Sequence, residues 1–123
     1  MKEARTKNTP AEIHWEGDSK KVLSGFPRDV KLSLGYSLRR LQLGGFPACE
    51  IRSMVSIGKS VWELKESDER AWYRVVYLTK IGGVIHVLHC FEKESRRTDK
   101  RDVATARFRL KRVLARIQEE KNR

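Results

Sequence analysis

The stretch Trp72–Thr98, WYRVVYLTKIGGVIHVLHCFEKESRRT, decides the fold of this chain. Two runs rich in β-branched and aromatic residues flank Gly82-Gly83, a pair that can adopt the positive φ angles of a two-residue hairpin turn. The pattern predicts two antiparallel strands followed by a basic loop. Arg74 interrupts the first strand, where a guanidinium is either paired with an acid in the core or exposed over a cleft.

Shorter patterns on both sides of the hairpin predict an α+β fold. The elements predicted before it are a strand at 13–16, a helix from Asp18 or Ser19 to Leu23, a helix at 28–43 that ends at Gly44-Gly45, an irregular segment at 46–60 pinned by Met54, Val55 and Ile57, and a strand at 61–65. After it, a helix is predicted from Thr98 or Asp99 to about Glu120, with Leu110 and Leu114 in its apolar stripe. Gly35 is interpreted as a point of close packing on the sheet. Because the strands follow one another with hairpin-length connections, we expect an antiparallel sheet with an N-terminal helical pair and a C-terminal helix packed against it.

Length and charge limit the classes of protein. The 123 residues predict one domain at 11–123, preceded by a flexible tail at 1–10. The net charge is +11, and residues 93–123 hold 12 basic and 5 acidic residues, which is +7 of that total. Such asymmetry is typical of a protein with a polyanionic partner, and equally of a solvated basic helix face.

Several common kinds of site are absent from the sequence. No Gly-rich phosphate loop, His-Glu-x-x-His helix, membrane-spanning run or signal peptide is present, and no cofactor is expected. Cys49 and Cys90 lack metal-binding spacing, which predicts a reduced, cytoplasmic protein. A zinc site of His86, His89 and Cys90 is not expected, because alternation along a strand places His89 on the opposite face from the other two.

The remaining candidates for chemistry are cationic side chains around the hairpin. Arg74 is expected to share a strand face with Trp72 and Val76. The cations expected near it are Lys65 on the neighbouring strand, Lys93 at the end of the next strand, and Arg96 and Arg97 in the loop that follows. They form either a phosphate-binding surface or a solvated loop balanced by Glu92 and Glu94.

A series of motifs in a fixed order identifies a family resemblance. The motifs are Ser19-Lys20-Lys21 through Phe26-Pro27, Gly35-Tyr36-Ser37-Leu38, Ile57-Gly58, Val61-Trp62-Glu63-Leu64-Lys65, Tyr73-Arg74-Val75, Val87-Leu88-His89-Cys90-Phe91-x-Lys93, and Thr98 with Asp102-Val103-x-x-Ala106-Arg107. In order and spacing the chain resembles the RelE/ParE superfamily of type II toxins, and within it the HigB-type, phage-derived subfamily. The resemblance implies a RelE-like sheet with helices on one face and a concave basic face opposite.

The resemblance also implies an activity and partners. Most relatives are metal-independent endoribonucleases that cut mRNA, commonly on the ribosome, whereas the ParE branch inhibits DNA gyrase. The expected partners are mRNA, the ribosome and a HigA-like helix-turn-helix antitoxin, with no membrane. Two alternatives stay open: a gyrase inhibitor without nuclease activity, and a non-catalytic nucleic-acid-binding module.

The motif positions assign roles to particular residues. The resemblance gives Arg74 the stabilisation of a pentavalent phosphorane, and gives Lys93 and Arg97 phosphate clamping or proton transfer. Lys65 is a candidate base, and the remaining RNA contacts are expected from Arg96, Lys59, Lys100 and Arg101. His89 is either an acid–base group or a buried structural histidine, since we expect it to share a strand face with Ile85, Val87 and Phe91. Glu94 departs from the family pattern, because it replaces a second Lys and adds an anion to this loop.

Overall fold

The computed structural model describes residues 9–81, 83–94 and 99–123. Its elements are β1 (Glu12–Trp15), α1 (Ser19–Ser24), α2 (Arg28–Gln42), β2 (Glu50–Ser53), β3 (Val61–Ser67), β4 (Trp72–Ile81), β5 (Val84–Lys93) and α3 (Lys100–Lys121). The predicted α+β class, with an N-terminal helical pair and a C-terminal helix packed on a sheet, is confirmed. The division into a tail at 1–10 and a domain at 11–123 stays a prediction, since residues 1–8 lie outside the described part.

The sheet has the strand order β1-β5-β4-β3-β2. Strands β3, β4 and β5 pair antiparallel, as predicted, and β2 pairs antiparallel with β3. Strand β1 pairs parallel with β5, so the sheet is mixed. Strand β1 precedes both N-terminal helices, and the chain rejoins the sheet at the opposite edge with β2. Strand β2 lies in the segment predicted to be irregular. All four side chains of β2 are exposed. Because an exposed strand needs no alternation of apolar and polar residues, its sequence carries no pattern that would predict a strand.

Helices cover both faces of the sheet. Helices α1 and α2 pack on the face that presents Tyr73, Val75 and Tyr77 of β4. Helix α3 packs on the other face, against Val76 and Leu78. The expectation of helices on one face only is therefore wrong, because β4 is apolar on both sides and each side needs a covering layer.

A β-bulge in β5 shifts the strand alternation. Val76 of β4 lies opposite His89, but the next residue, Tyr77, lies opposite Val87, so Leu88 is an extra residue. As a result His86 and His89 both lie on the α3 side, whereas Cys90 packs in the core under α1 and α2. The prediction that His86 and His89 lie on opposite faces of the strand is therefore wrong. The prediction that His89 shares a face with Ile85 and Val87 is also wrong. Both assumed that side chains alternate without interruption along β5, and the bulge interrupts that alternation.

The ends of the elements follow local rules. Asp99 is the N-cap of α3, and its side chain accepts a hydrogen bond from the backbone N–H of Asp102, as predicted for this class of cap. Gly44 adopts a φ of 85° directly after α2, and Gly83 adopts a φ of 81° in the hairpin turn. Gly82 lies outside the described residues. Two predicted core positions are wrong, because Val55 and Leu114 are exposed.

Two glycines differ in the space around them. A Cβ on Gly58 would lie 2.5 Å from Cδ2 of Leu110, a side chain buried between the sheet and α3. A Cβ on Gly35, within α2, would meet no atom within 4 Å. The prediction of close packing at Gly35 is therefore wrong, since this side of α2 faces solvent, whereas Gly58 marks a real close approach.

We expect Gly58→Ala to lower the free energy of unfolding by about 1–3 kcal/mol, because the added methyl overpacks the core against Leu110. The same substitution at Gly35 should raise it by about 0.5–1 kcal/mol, because alanine is the better helix former and meets no neighbour. Urea denaturation of both variants measures the two changes. Equal effects at the two positions would contradict the packing described here.

Candidate functional site

Three of the predicted cations meet on the α3 side of the sheet, at the end where β3 and β5 finish and β4 begins. Lys65 of β3 lies opposite Arg74 of β4, and Trp72 of β4 lies opposite Lys93 of β5. Directly opposed side chains in antiparallel strands have Cβ atoms about 4.5–5.5 Å apart. Three adjacent strands thus contribute one basic residue each to what we call the cation cluster, Lys65, Arg74 and Lys93.

The centre of the cluster is a buried ion pair. Nη1 of Arg74 lies 3.1 Å from Oε1 of Glu63, and both side chains are 0% exposed. Glu63 stands two residues before Lys65 on the same face of β3, which places it beside Arg74. Of the two possibilities that the sequence left open for Arg74, the structure shows the one in which the guanidinium is paired with an acid in the core.

The other two cations are also paired with acids. Nζ of Lys65 lies 3.4 Å from Oε2 of Glu50 on β2 and 5.2 Å from the ring centroid of Trp72, a cation–π distance. Nζ of Lys93 contacts Oδ2 of Asp99, the N-cap of α3. Together with Glu63, these carboxylates match the positive charge of the cluster one for one.

His89 lies beside the cluster with both ring nitrogens in use. Its Nε2 lies 2.8 Å from Oδ1 of Asp102, and its Nδ1 lies 3.5 Å from Nη1 of Arg109. The ring stacks on Phe91 with centroids 4.9 Å apart. A guanidinium can only donate, so this geometry places the proton on Nε2, which donates to Asp102. The arrangement favours a structural histidine, and a catalytic role for His89 stays a prediction.

His86 lies away from the cluster, near the parallel β1–β5 pair. It is buried with Nδ1 3.7 Å from Oε2 of Glu16, and burial lowers its pKa although Glu16 opposes that effect. Together with His14 and Arg116 it lines a cavity of about 440 Å³ beside the C-terminal end of α3. Within the described part of the chain, no group of three His, Cys, Asp or Glu residues is arranged to hold a metal ion.

The predicted RNA-binding residues are only partly brought together. Lys100 and Arg101 are exposed in the first turn of α3, next to the Asp99 that contacts Lys93. Lys59 is exposed as well, but it precedes β3 and lies at the opposite end of that strand from the cluster. Arg96 and Arg97 lie outside the described residues.

The residues that sequence reasoning missed are the acids and the aromatic platform of the cluster. They are Glu50, Glu63 and Asp99 as partners of cations, Asp102 as the acceptor for His89, and Trp72 beside Lys65. One signal was available for Glu63, since residues two apart on a strand share a face. The others depend on long-range pairing or on the docking of α3, which periodicity does not report.

Comparison with protein families identifies the family of this chain. Residues 21–111 match the family described as phage derived protein Gp49-like (DUF891). This match covers well over half of the chain. The chain belongs to this family. The Gp49-like family is grouped with the RelE/HigB-like toxins, so the predicted superfamily is confirmed, whereas the HigB-type subfamily stays a prediction. No curated protein shows significant similarity to the chain.

Membership of the Gp49-like family sets the broad function. The protein is a toxin-like module of phage derivation, as in toxin–antitoxin systems, and the family suggests an antitoxin partner. Among the helices that the structure describes, none is both long and apolar enough to cross a bilayer.

We expect Arg74→Met to lower the free energy of unfolding by about 3–5 kcal/mol, because it removes the cation that pairs with the buried carboxylate of Glu63. The double variant Arg74→Met/Glu63→Leu should recover most of that loss, since two apolar side chains replace the pair. Chemical denaturation of the wild type and both variants measures the difference. A single variant as stable as the wild type would contradict the burial of this pair.

The Lys93–Asp99 contact predicts a pH-dependent contribution to stability. The hydrogen bond from Lys93, followed by that from the Asp102 backbone N–H, holds the pKa of Asp99 well below its ordinary value. Because the folded-state pKa is depressed, the stabilisation is present above pH about 4 and is lost as the pH falls further. Asp99→Asn keeps a side chain that caps helices but removes the charge.

We therefore expect Asp99→Asn to lower the midpoint of thermal unfolding at pH 7, with the difference from the wild type shrinking below pH about 4. In a Lys93→Met background, the same substitution should have a smaller effect at pH 7, because the ion pair is already absent. Circular dichroism melts from pH 7 to pH 3 measure both. A difference that is independent of pH would show that the Asp99 charge is not involved.

Proposed function

We propose that the protein is the toxin of a type II toxin–antitoxin system and that it cleaves mRNA without a metal ion, in the cytoplasm and in association with the ribosome. The observation that carries this proposal is the cation cluster, in which three adjacent strands of a RelE/HigB-like fold place Lys65, Arg74 and Lys93 on one face.

The chemistry of RNA cleavage matches what such a cluster offers. The 2′-OH attacks the neighbouring phosphate, so a catalyst removes the hydroxyl proton, stabilises the phosphorane charge and protonates the 5′-oxygen. Lysine and arginine supply charge and donors for the second and third tasks. We assign charge stabilisation to Arg74, and phosphate clamping or proton transfer to Lys93, with Arg97 as a further clamp. We assign the base to Lys65, which can accept the hydroxyl proton only as a neutral amine, after it has separated from Glu50 and lost a proton to solvent.

The acids of the cluster determine how a phosphate could enter. Glu50 and Asp99 occupy the positions beside Lys65 and Lys93 that a phosphate oxygen would otherwise take. Both acids are at least partly exposed, so RNA can displace them without leaving an unpaired charge in the core. Arg74 is 0% exposed and paired with Glu63, so its contact with phosphate would require the surrounding groups to move.

Substrate attraction is assigned to the cations outside the cluster. Because the cluster is neutralised by its own acids, the positive field at this end of the sheet comes from exposed residues such as Lys100 and Arg101. Contacts of this kind release counterions, so RNA affinity should fall steeply with salt concentration.

The same pairing favours a second candidate function. Cations that are each matched by a carboxylate, with the central arginine fully buried, also suit a protein that binds its target without cutting it. The two forms of this alternative are a ParE-like inhibitor of DNA gyrase and a non-catalytic nucleic-acid-binding module.

We expect expression of the wild-type protein to arrest growth and to produce new mRNA ends, visible by primer extension. The double variant Lys65→Ala/Lys93→Ala should reduce cleavage at least about 100-fold, because it removes a proton-transfer group and a phosphate clamp. Lys20→Ala/Lys21→Ala is the matched control, since it removes two exposed lysines from α1 on the other side of the sheet. That variant should cleave as the wild type does.

Three outcomes would contradict the proposal in different ways. Cleavage by the lysine double variant at the wild-type rate would remove the cluster from the mechanism. Intact mRNA accompanied by double-strand DNA breaks would favour the gyrase inhibitor. Salt-dependent RNA binding with neither effect would favour the non-catalytic module.

A further inference from the structure

Helix α2 carries a second apolar stripe that faces solvent. Its inner face is buried by residues such as Val30 and Leu34. On the outer face, Leu32 is 58% exposed, Tyr36 is 57% exposed and Leu43, just past the helix end, is 55% exposed. At 100° per residue these three lie within one narrow sector, roughly opposite the buried side. A helix that only covers a core needs one apolar stripe, so the second one requires an explanation.

The loop after α2 extends this stripe and is held in place. Phe46 is 83% exposed, and its carbonyl oxygen accepts a hydrogen bond from Nε of Arg40. The same guanidinium lies 5.7 Å from the ring centroid of Tyr36, and its Nη1 donates to the Tyr36 hydroxyl at 3.4 Å. Oγ of Ser37 accepts hydrogen bonds from the backbone N–H groups of residues 48 and 49. The exposed aromatic side chains therefore stand on a preorganised surface.

We name this surface the α2 patch and define it as Leu32, Tyr36, Arg40, Leu43 and Phe46. Asp29 is the one acid in the sequence of α2 and lies in its exposed sector, and the border of the patch is net basic because Arg28 and Arg39 fall in the same sector. Within the described part of the chain, neither of them nor Arg40 forms an ion pair with a carboxylate. The patch thus combines apolar anchors with arginines available to an acidic partner.

We propose that the α2 patch binds an acidic amphipathic helix of a partner protein. The apolar side of that helix would pack on Leu32, Tyr36, Leu43 and Phe46, while its carboxylates would pair with the bordering arginines. Because α2 and the cation cluster lie on opposite faces of the sheet, a partner bound here leaves the cluster uncovered. Binding at the α2 patch does not depend on whether the protein cleaves RNA.

Charge argues against the competing occupants. A second copy of this chain docked through the same patch would bring two sets of arginines together, which is unfavourable. Single-stranded RNA could stack on Tyr36 and Phe46, but Leu32 and Leu43 offer it neither stacking nor phosphate contacts. An anionic lipid surface is compatible with the charge and is separated by the experiment below.

The test uses the full-length protein and two stapled helical peptides with identical leucine positions. One peptide carries glutamate at every flanking position and the other carries lysine. Fluorescence anisotropy should show the glutamate peptide binding at least tenfold more tightly than the lysine peptide, and amide chemical shifts should change around residues 32–46. The double variant Tyr36→Ser/Phe46→Ser should weaken binding of the glutamate peptide by roughly tenfold or more, since aromatic anchors dominate such interfaces.

The matched control is Phe108→Ser on α3. Phe108 is 60% exposed and has the guanidinium of Arg112 5.8 Å from its ring centroid, so it copies the Tyr36–Arg40 arrangement on the other face of the sheet. Unchanged binding by this variant supports the proposal. Failure of the glutamate peptide to bind, or equal weakening by Phe108→Ser, would overturn it. Sedimentation experiments test the other occupants. If the protein binds phosphatidylglycerol vesicles or a second copy of itself through Tyr36 and Phe46, and does not bind the glutamate peptide, the proposal is also overturned.

Discussion

The ion pair between Arg74 and Glu63 is the constraint on which the rest of the site depends. Both side chains are fully buried between β3 and β4, and Nη1 of Arg74 lies 3.1 Å from Oε1 of Glu63, so each buried charge has an opposite charge beside it. A shift of the β3–β4 register would separate these two buried charges and destabilise the fold, so the pair helps to fix the register. With that register held, Lys65 lies opposite Arg74, and the antiparallel hairpin brings Lys93 to the same end of the sheet.

The pairing of cations with acids shapes how this member of the Gp49-like family can act. A basic protein with net charge +11 would be expected to present a bare positive site, yet its central cations are neutralised by Glu50, Glu63 and Asp99. Under the proposed function, exposed residues attract the polyanion, and the partly or fully buried residues of the cluster carry the chemistry. Such shielding keeps the cluster folded when no substrate is present, because each charge already has a partner.

The mixed sheet separates two surfaces with different properties. On the α3 side lie the cation cluster and the first turn of α3, with Lys100 and Arg101 exposed. On the other side lies α2, whose solvent-facing stripe is apolar and has arginine residues along its border. The two proposed binding surfaces, the cation cluster and the α2 patch, therefore lie on separate faces of the sheet.

Local sequence rules determined the hairpin, the extents of α2 and α3, the Asp99 cap and the grouping of Lys65, Arg74 and Lys93 near one end of the strands. Each of these follows from side-chain periodicity, turn chemistry or strand order, which neighbouring residues encode. Only the tertiary structure decided the parallel β1–β5 pair, the bulge at Leu88 and the acids that contact Lys65 and His89. These features join positions far apart in sequence, such as His89 with Asp102 and Lys65 with Glu50. Their energies depend on burial and on which elements dock, so no local pattern reports them.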